Sequence, residues 1–231
     1  MTPDPQKVFL GIPFSAGTTR WETSMSLIAL IASQTKREFI IFPGGGCDIA
    51  HARNLMVHEC LDHSGKDCAQ LLMIDSDIVF TAADIDRILS WNYPVVGGIY
   101  PRKNSRELKW SVNGRIEQMD NGLWSVDELC TGFMCIRTSL LREMRYLCPE
   151  TRYVIEDERY RGETGHELFA MGVHEGRRLS EDYWFSKRVR DLGYPVIADP
   201  GVQLGHVGEV DFLRLHASRS HPSGSNQAAG N

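Results

Sequence analysis

The sequence predicts an α/β domain in which helices cover both faces of a mostly parallel central sheet. Through residues 1–100, apolar runs typical of buried strands alternate with amphipathic stretches typical of helices. After residue 101 the pattern changes to short alternating segments around Asn113-Gly114 and Asn121-Gly122, which are hairpin signals. We therefore expect a three-layer sandwich with antiparallel strands in its C-terminal half.

The length of 231 residues suits one such domain with a substantial core. We expect this single domain over residues 1–216 and a disordered tail, rich in Ser, Gly and Asn, over 217–231. The formal net charge of −5 argues against a surface built to coat nucleic acid. No apolar run has the length of a membrane span, and residues 1–5 lack signal-peptide features. The cysteine pattern indicates reduced thiols, so we predict a cytoplasmic protein.

The first elements alternate in type along the chain. A strand over 8–14 precedes a helix over 23–33, and a short strand over 39–42 follows. Asp48 can cap the next helix, which we predict over 49–62.

Residues 71–74 are all apolar and predict a strand buried on both faces, which leads directly into Asp75 and Asp77. Two carboxylates at the end of a buried strand repel each other and lose hydration, so we expect a cation beside them. Mg²⁺ or Mn²⁺ would suit, because both prefer oxygen ligands and are usually completed by substrate phosphates. In the alternative interpretation the two residues only begin a turn before a helix capped by Thr81.

The remaining elements follow from apolar runs and turn residues. Gly132 lies inside an apolar run, which suggests close approach of backbone or ligand, and the charged segment 149–178 is irregular. We predict a helix over 83–91, strands over 93–100 and 129–136, a helix over 139–145, a possible strand over 168–171, a helix begun by Ser180 and closed by Gly193, and a last core strand over 195–198.

One group of residues resembles a zinc site at first sight and consists of His58, Cys60, His63 and Cys68. Its spacing matches no common zinc pattern. A helix would also direct His58 and Cys60 to different faces. We therefore do not predict zinc binding by these four residues.

Four motifs together resemble those of GT-A glycosyltransferases of the family 2 type and span most of residues 7–208. They are Ala52-Arg53-Asn54, Asp75-Ser76-Asp77, Thr131-Gly132-Phe133, and Glu181-Asp182-Tyr183-Trp184-Phe185 followed by Arg188 and Gly193-Tyr194. The resemblance implies a GT-A (Rossmann-like) fold. It also implies that residues 1–100 bind a nucleotide sugar and that residues 101–216 bind the acceptor and carry the catalytic carboxylate.

The resemblance further implies a donor site. Asp75 and Asp77 would hold Mn²⁺ or Mg²⁺ against the diphosphate of a UDP- or GDP-sugar, and His206 would be a further metal ligand. The other residues implied at this site are Arg53, Asn54, Ser76 and Gly132, while Pro13 suggests where base and ribose lie. Alternatively, Arg53 and Asn54 are an exposed polar pair and His206 is an ordinary loop histidine.

Catalysis is implied for the first turn of the last helix. Asp182 would take the proton from an acceptor hydroxyl as it attacks the anomeric carbon, which gives inversion. Glu181 would orient the acceptor or be the base itself. The two acids cannot point equally at one hydroxyl, because consecutive helix residues diverge by about 100°. Alternatively, both acids belong to a solvated helix start, where acids are favoured.

Other functions remain open at this point. A nucleotidyltransferase would have a related fold, but the loop 15–20 holds one arginine and no basic run for a triphosphate. A non-catalytic binding domain is a further alternative. The acceptor could be a glycan, a small molecule or a modified polymer such as DNA, and residues between Thr131 and Ser180 should select it. Arg102, Lys103 and Arg106 would bind an anionic acceptor or the diphosphate, or form a surface patch.

Overall fold

The computed structural model describes residues 3–14, 18–33, 35–46, 48–103 and 109–208. The predicted tail over 217–231 and Arg106 lie outside these residues. Within them, no helix combines the length and the apolar character that crossing a lipid bilayer requires.

The elements alternate as the sequence predicts and keep one numbering below. In chain order they are β1 (Asp4–Pro13), α1 (Trp21–Ala32), β2 (Glu38–Gly44), α2 (Ile49–Asp62), β3 (Cys68–Ile74), β4 (Ile78–Val79), α3 (Ala82–Ser90), β5 (Val95–Gly98), β6 (Val112–Gln118), β7 (Trp124–Leu129), β8 (Phe133–Arg137), α4 (Thr138–Leu147), a 3-10 turn (Pro149–Thr151), β9 (Arg152–Val154), β10 (Thr164–His166), β11 (Gly172–His174), β12 (Arg177–Leu179), α5 (Glu181–Asp191), β13 (Val196–Asp199) and β14 (Gly205–His206).

The central sheet has the strand order β2-β1-β3-β8-β5-β13-β7-β6. Strands β2, β1 and β3 are parallel neighbours, and so are β5 and β13. Only β8 and β7 run against the other strands of this sheet. The prediction of a mostly parallel sheet with antiparallel additions from the C-terminal half is therefore confirmed.

Apolar side chains fill both faces of the sheet. Along β3, Leu71 and Met73 pack in one apolar cluster with residues of α2, α4 and α5. Leu72 and Ile74 point the other way and pack with residues of α1 and α3. All four side chains are fully buried, as a strand covered on both faces requires. This arrangement is the predicted three-layer sandwich.

Two helix starts follow directly from their capping residues. The Asp48 carboxylate accepts a hydrogen bond from the His51 amide at 2.8 Å, as predicted for α2. Thr81 and Asp84 form a reciprocal capping box at the start of α3. Ser180 occupies the cap position of α5, but its hydroxyl contacts the carboxylate of Asp182 instead of a helix amide.

Two local predictions are wrong. Residues 168–171 form no strand, because the main-chain amide and carbonyl of Phe169 form hydrogen bonds with a side chain from α2. Asn113-Gly114 makes no turn but lies inside β6, where Gly114 has a φ of +75° at a shift in register. The turn falls at Asn121-Gly122, where Gly122 has a φ of +82°.

Asn54 is the α2 residue that holds this irregular segment. Its amide nitrogen donates to the Phe169 carbonyl at 2.7 Å, and its oxygen accepts from the Phe169 amide at 2.9 Å. The Phe169 ring in turn stacks on Phe185 of α5 with centroids 4.4 Å apart. One amide side chain thus joins α2 to the segment that packs on α5.

We expect Asn54→Ala to lower the free energy of unfolding by about 2–4 kcal/mol. Two buried main-chain groups would lose their partners, and each such loss costs about 1–3 kcal/mol. Urea unfolding followed by fluorescence and circular dichroism measures the change. The exposed Asn92 provides the control, because Asn92→Ala should stay within about 0.5 kcal/mol of the wild type. A loss below about 1 kcal/mol for Asn54→Ala would contradict the bridging role.

Candidate active site

Most of the predicted site residues meet at the edge of the sheet where β1, β3 and β5 end. Asp75 directly follows β3, and its amide donates to the carbonyl of Gly132 at 3.0 Å. Because β8 runs against β3, the start of β8 lies at this same edge. The first turn of α5 reaches the edge through Glu181. Ligands of open α/β sheets bind just outside such an edge.

Arg53 links the first acidic motif to the second. Its Nη2 atom lies 2.9 Å from Asp75 Oδ1, and its Nη1 atom contacts the carboxylate of Glu181. The side chain is 4% exposed, so the interpretation as an exposed polar pair is wrong for Arg53. Burial opposes the charge, but the neighbouring carboxylates outweigh it and raise the pKa of Arg53. Arg53 is therefore a fixed cation between two carboxylates.

A two-stranded ribbon brings His206 beside Asp77. Strand β14 pairs with β4, and the amide of Val207 donates to the carbonyl of Asp77 at 2.9 Å. His206 Nδ1 lies 2.7 Å from the carbonyl of Pro101, and a carbonyl can only accept, so Nδ1 carries the proton. In the neutral ring Nε2 then presents a lone pair, 3.4 Å from Asp77 Oδ1. This is the tautomer that a metal ligand needs.

Lys103 lies beside this pair, and its ammonium group contacts Asp77 Oδ2. Burial alone would raise the pKa of Asp77, but the neighbouring His206 and Lys103 outweigh it and lower that pKa. The carboxylate is thus held in its ionised form. Lys103 therefore lies at the acidic motif and not in a separate surface patch.

Gly132 is required by close approach. Its amide donates to the hydroxyl of Tyr100 at 3.1 Å, and a Cβ atom here would clash with that hydroxyl. The same Cβ would lie 2.9 Å from Asp75 Oδ2. The Tyr100 ring meets the His206 ring edge-on at 5.1 Å, so Gly132 packs in one group with Asp75, Tyr100 and His206.

The two acids of α5 have different surroundings. Glu181 is buried against Arg53, and burial together with Asp182 raises the pKa of Glu181 despite that cation. Asp182 is half-buried, and its Oδ1 atom accepts from the Ser180 hydroxyl and from the Tyr183 amide at 2.9 Å. These bonds fix the orientation of the Asp182 carboxylate. The alternative of a freely solvated helix start is wrong for Glu181.

The other predicted donor-site residues differ in position. Pro13 ends β1 beside Gly44, at the same edge of the sheet. The main-chain carbonyl of Ser76 accepts from the Arg20 amide at 2.9 Å. Asn54 is 4% exposed and directs its amide to Phe169, so the structure does not bring that amide to the carboxylates.

Gly132→Ala tests how tightly this site is packed. We expect it to lower the free energy of unfolding by about 1–3 kcal/mol, because Tyr100 and Asp75 would both have to move. The matched control is Gly45→Ala, since a Cβ at Gly45 meets no atom within 4 Å. Denaturant unfolding of both variants measures the difference. Equal stability of the two variants would show that a Cβ atom fits at Gly132 without displacing Tyr100 or Asp75.

No protein-family model matches the chain, and no curated protein matches it in sequence. Solved structures do match. A197 from STIV is 18% identical, with a TM-score of 0.56 over 88% of this chain and 86% of its own. A Drosophila beta1,4-galactosyltransferase 7 mutant in complex with manganese, UDP-Gal and xylobiose is 15% identical, with a TM-score of 0.50 over 96% and 77%.

A third similar structure is GalNAc-T7 with UDP, GalNAc and Mn²⁺. It is 10% identical to this chain, with a TM-score of 0.54 over 89% of this chain and 44% of its own. Identities this low show the fold alone. The chain therefore has the GT-A fold of these glycosyltransferases, as its four motifs predicted.

Proposed function

We propose that this protein is a metal-dependent glycosyltransferase that uses a nucleotide sugar, with a UDP-sugar as the first candidate donor and a GDP-sugar as the second. The observation that carries the proposal is the pairing of Asp77 with the Nε2 atom of His206, beside Asp75, at the carboxyl edge of the sheet. Two structures with this fold contain manganese together with UDP or UDP-Gal, which supports the same assignment.

The donor atoms at this edge suit Mn²⁺ or Mg²⁺. Asp77 and His206 would hold the ion directly, and Asp75 would hold it through water or the ribose. An imidazole beside carboxylates favours Mn²⁺ over Mg²⁺, since Mg²⁺ prefers oxygen ligands. When bound, the ion neutralises negative charge on the leaving nucleoside diphosphate.

Lys103 has a second part in this scheme. Its ammonium group balances the charge of Asp77. It lies where a diphosphate would also need a positive charge. We propose that Lys103 turns from Asp77 to the diphosphate when metal and donor bind.

Asp182 is the proposed base. It takes the proton from the acceptor hydroxyl as that oxygen bonds to the anomeric carbon, while the bond to the diphosphate breaks and its electron pair leaves with the nucleotide. Glu181 is held by Arg53, so we assign it a positioning role at the start of α5. Attack on the face opposite the leaving group inverts the anomeric centre.

The nucleotide contacts are proposed with one revision. Pro13, Ser76 and Gly132 lie at the carboxyl edge of the sheet and are proposed to line the donor. Arg53 is proposed to act through Asp75, since its guanidinium already binds that carboxylate. Asn54 is proposed to position the segment around Phe169 and not to contact the nucleotide.

The acceptor is proposed to lie toward the segment 149–178. A cavity of about 440 Å³ opens between this segment and the first turns of α2, lined by residues that include His51, Thr151, Tyr153 and Met171. Its size falls within the range of small-molecule sites. A glycan or small molecule is the proposed acceptor. Nothing in the site points to nucleic acid, so we do not carry a DNA acceptor forward.

Calorimetry with nucleoside diphosphates, with and without Mn²⁺, tests the donor site. We expect UDP to bind only when the metal is present, and we expect Asp77→Ala to abolish this metal-dependent binding.

Asp182→Asn should bind the donor normally and lower kcat by about 10²- to 10⁴-fold, because only proton transfer is lost. Asp120→Asn, an exposed acid, is the control. Normal turnover of Asp182→Asn would remove it as the base, and preference for a triphosphate would favour the nucleotidyltransferase.

Lys103→Met separates the two roles of the lysine. Without nucleotide, this variant should bind Mn²⁺ more tightly than the wild type, because the ammonium group no longer competes for Asp77. With Mn²⁺ present, its affinity for UDP should fall, because the diphosphate loses a positive charge. Titration of Mn²⁺ by electron paramagnetic resonance and calorimetry with UDP measure the two affinities. A change of both in the same direction would contradict the exchange.

A further inference from the structure

The C-terminal end of α2 meets the β9–β10 segment at a second group of metal-binding side chains. His58 Nε2 and His63 Nε2 each lie 2.9 Å from Glu163 Oε2, and the two nitrogens lie 3.3 Å from each other. His58 is 4% exposed in its side chain, whereas His63 and Glu163 are 34% and 41% exposed. Three ligand-type atoms thus converge at a point that solvent can reach.

His58 lies between two carboxylates, so either neutral form of its ring leaves a lone pair facing an electron-rich oxygen. Its other nitrogen, Nδ1, lies 3.1 Å from Asp62 Oδ2, at an angle outside a regular hydrogen bond. A carboxylate this close favours the tautomer with the proton on Nδ1, which leaves a lone pair on Nε2. That lone pair then faces the Glu163 oxygen, which is also electron-rich. Two such atoms 2.9 Å apart need a proton or a metal ion between them.

The spacing of the three atoms suits a tetrahedral ion. Bonds of about 2.0–2.1 Å to histidine nitrogen and carboxylate oxygen place neighbouring ligand atoms about 3.3 Å apart. The observed separations of 2.9, 2.9 and 3.3 Å lie close to this value. Two imidazoles with one carboxylate favour Zn²⁺ over Mg²⁺ or Ca²⁺.

We propose that His58, His63 and Glu163 bind a zinc ion, with a solvent molecule as its fourth ligand. The site is distinct from the four-residue pattern in the sequence, because Cys60 and Cys68 are fully buried in the core. It is also distinct from the pair of Asp77 and His206.

The surroundings hold the ligands in place before any ion binds. The ring of Tyr160 lies 5.1 Å from both imidazole rings, and its hydroxyl contacts Glu59 of α2. The amide of Glu163 donates to the Tyr160 carbonyl at 2.9 Å, which closes the turn before β10. A zinc ion here therefore joins the end of α2 to the segment 152–166.

The test uses the full chain, stripped of metal with a chelator and then titrated with Zn²⁺ at neutral pH, with Mg²⁺ as a comparison. In the Asp77→Ala variant, whose donor site cannot contribute a second ion, we expect one zinc ion per chain, no comparable binding of Mg²⁺, and a higher Tm with zinc. Replacement by Co²⁺ should give the visible absorption of a four-coordinate ion with nitrogen and oxygen ligands. A stoichiometry well below one, or a spectrum of hydrated Co²⁺ alone, would overturn the proposal.

Variants locate the ion. His63→Gln and Glu163→Gln change partly exposed residues, so both variants should fold. Loss of a residue that only hydrogen-bonds to a metal ligand costs ~10- to 100-fold in metal affinity. Loss of a ligand itself should therefore weaken zinc binding by more than this. His51→Gln, on the same helix, and Asp77→Ala, in the donor site, should both keep the zinc affinity. Unchanged binding in both cluster variants, or loss of binding in Asp77→Ala, would place the zinc elsewhere and overturn the proposal.

The competing arrangement is a proton in place of the metal. Burial lowers the pKa of His58, but Asp62 and Glu163 outweigh it and raise that pKa. A protonated His58 would stabilise the fold at low pH, and this stability would be lost as pH rises through the raised pKa. A metal-free protein that shows this pH dependence and takes up no zinc at neutral pH would establish the proton and exclude the metal.

Discussion

The ion pairs of Arg53 with Asp75 and Glu181 set the geometry of the candidate active site. Arg53 comes from α2, Asp75 from the end of β3 and Glu181 from the start of α5, so one guanidinium joins three elements. A buried charge without its partner costs about 3–5 kcal/mol, so none of the three residues tolerates displacement of the others. The acidic motif and the helix that carries Asp182 are thereby held in a fixed relation.

Helix α2 extends this relation to the irregular part of the chain. It buries almost all of its residues, including Arg53, Asn54, His58 and Glu59. Each of these polar side chains contacts a residue that follows it by about a hundred positions or more. Polar and apolar residues of α2 are not separated onto opposite faces. The helix is nevertheless stable in the core, because these contacts satisfy its buried polar groups.

The sequence predicts those features that depend on local periodicity. The apolar run of 71–74 fixes β3, and the two aspartates that follow must then lie at the ligand-binding edge. The position of His206 beside Asp77 depends on β4 and β14, which have two residues each and therefore show no period. The meeting of His58 with Glu163 joins residues 105 positions apart. Turn residues also mislead, since Asn113-Gly114 forms a bulge where Asn121-Gly122 forms a turn.

The segment 149–178 is irregular in sequence, yet α2 holds it at three places. These are the contacts of Glu163 with the two histidines, of Tyr160 with Glu59, and of Phe169 with Asn54. Asp75, at the carboxyl edge of the sheet, depends on the same helix through Arg53. Because one rigid helix carries all of these contacts, the distance from the carboxyl edge of the sheet to the segment 149–178 is set within α2. A displacement of α2 would therefore move this segment and the Arg53 ion pairs together.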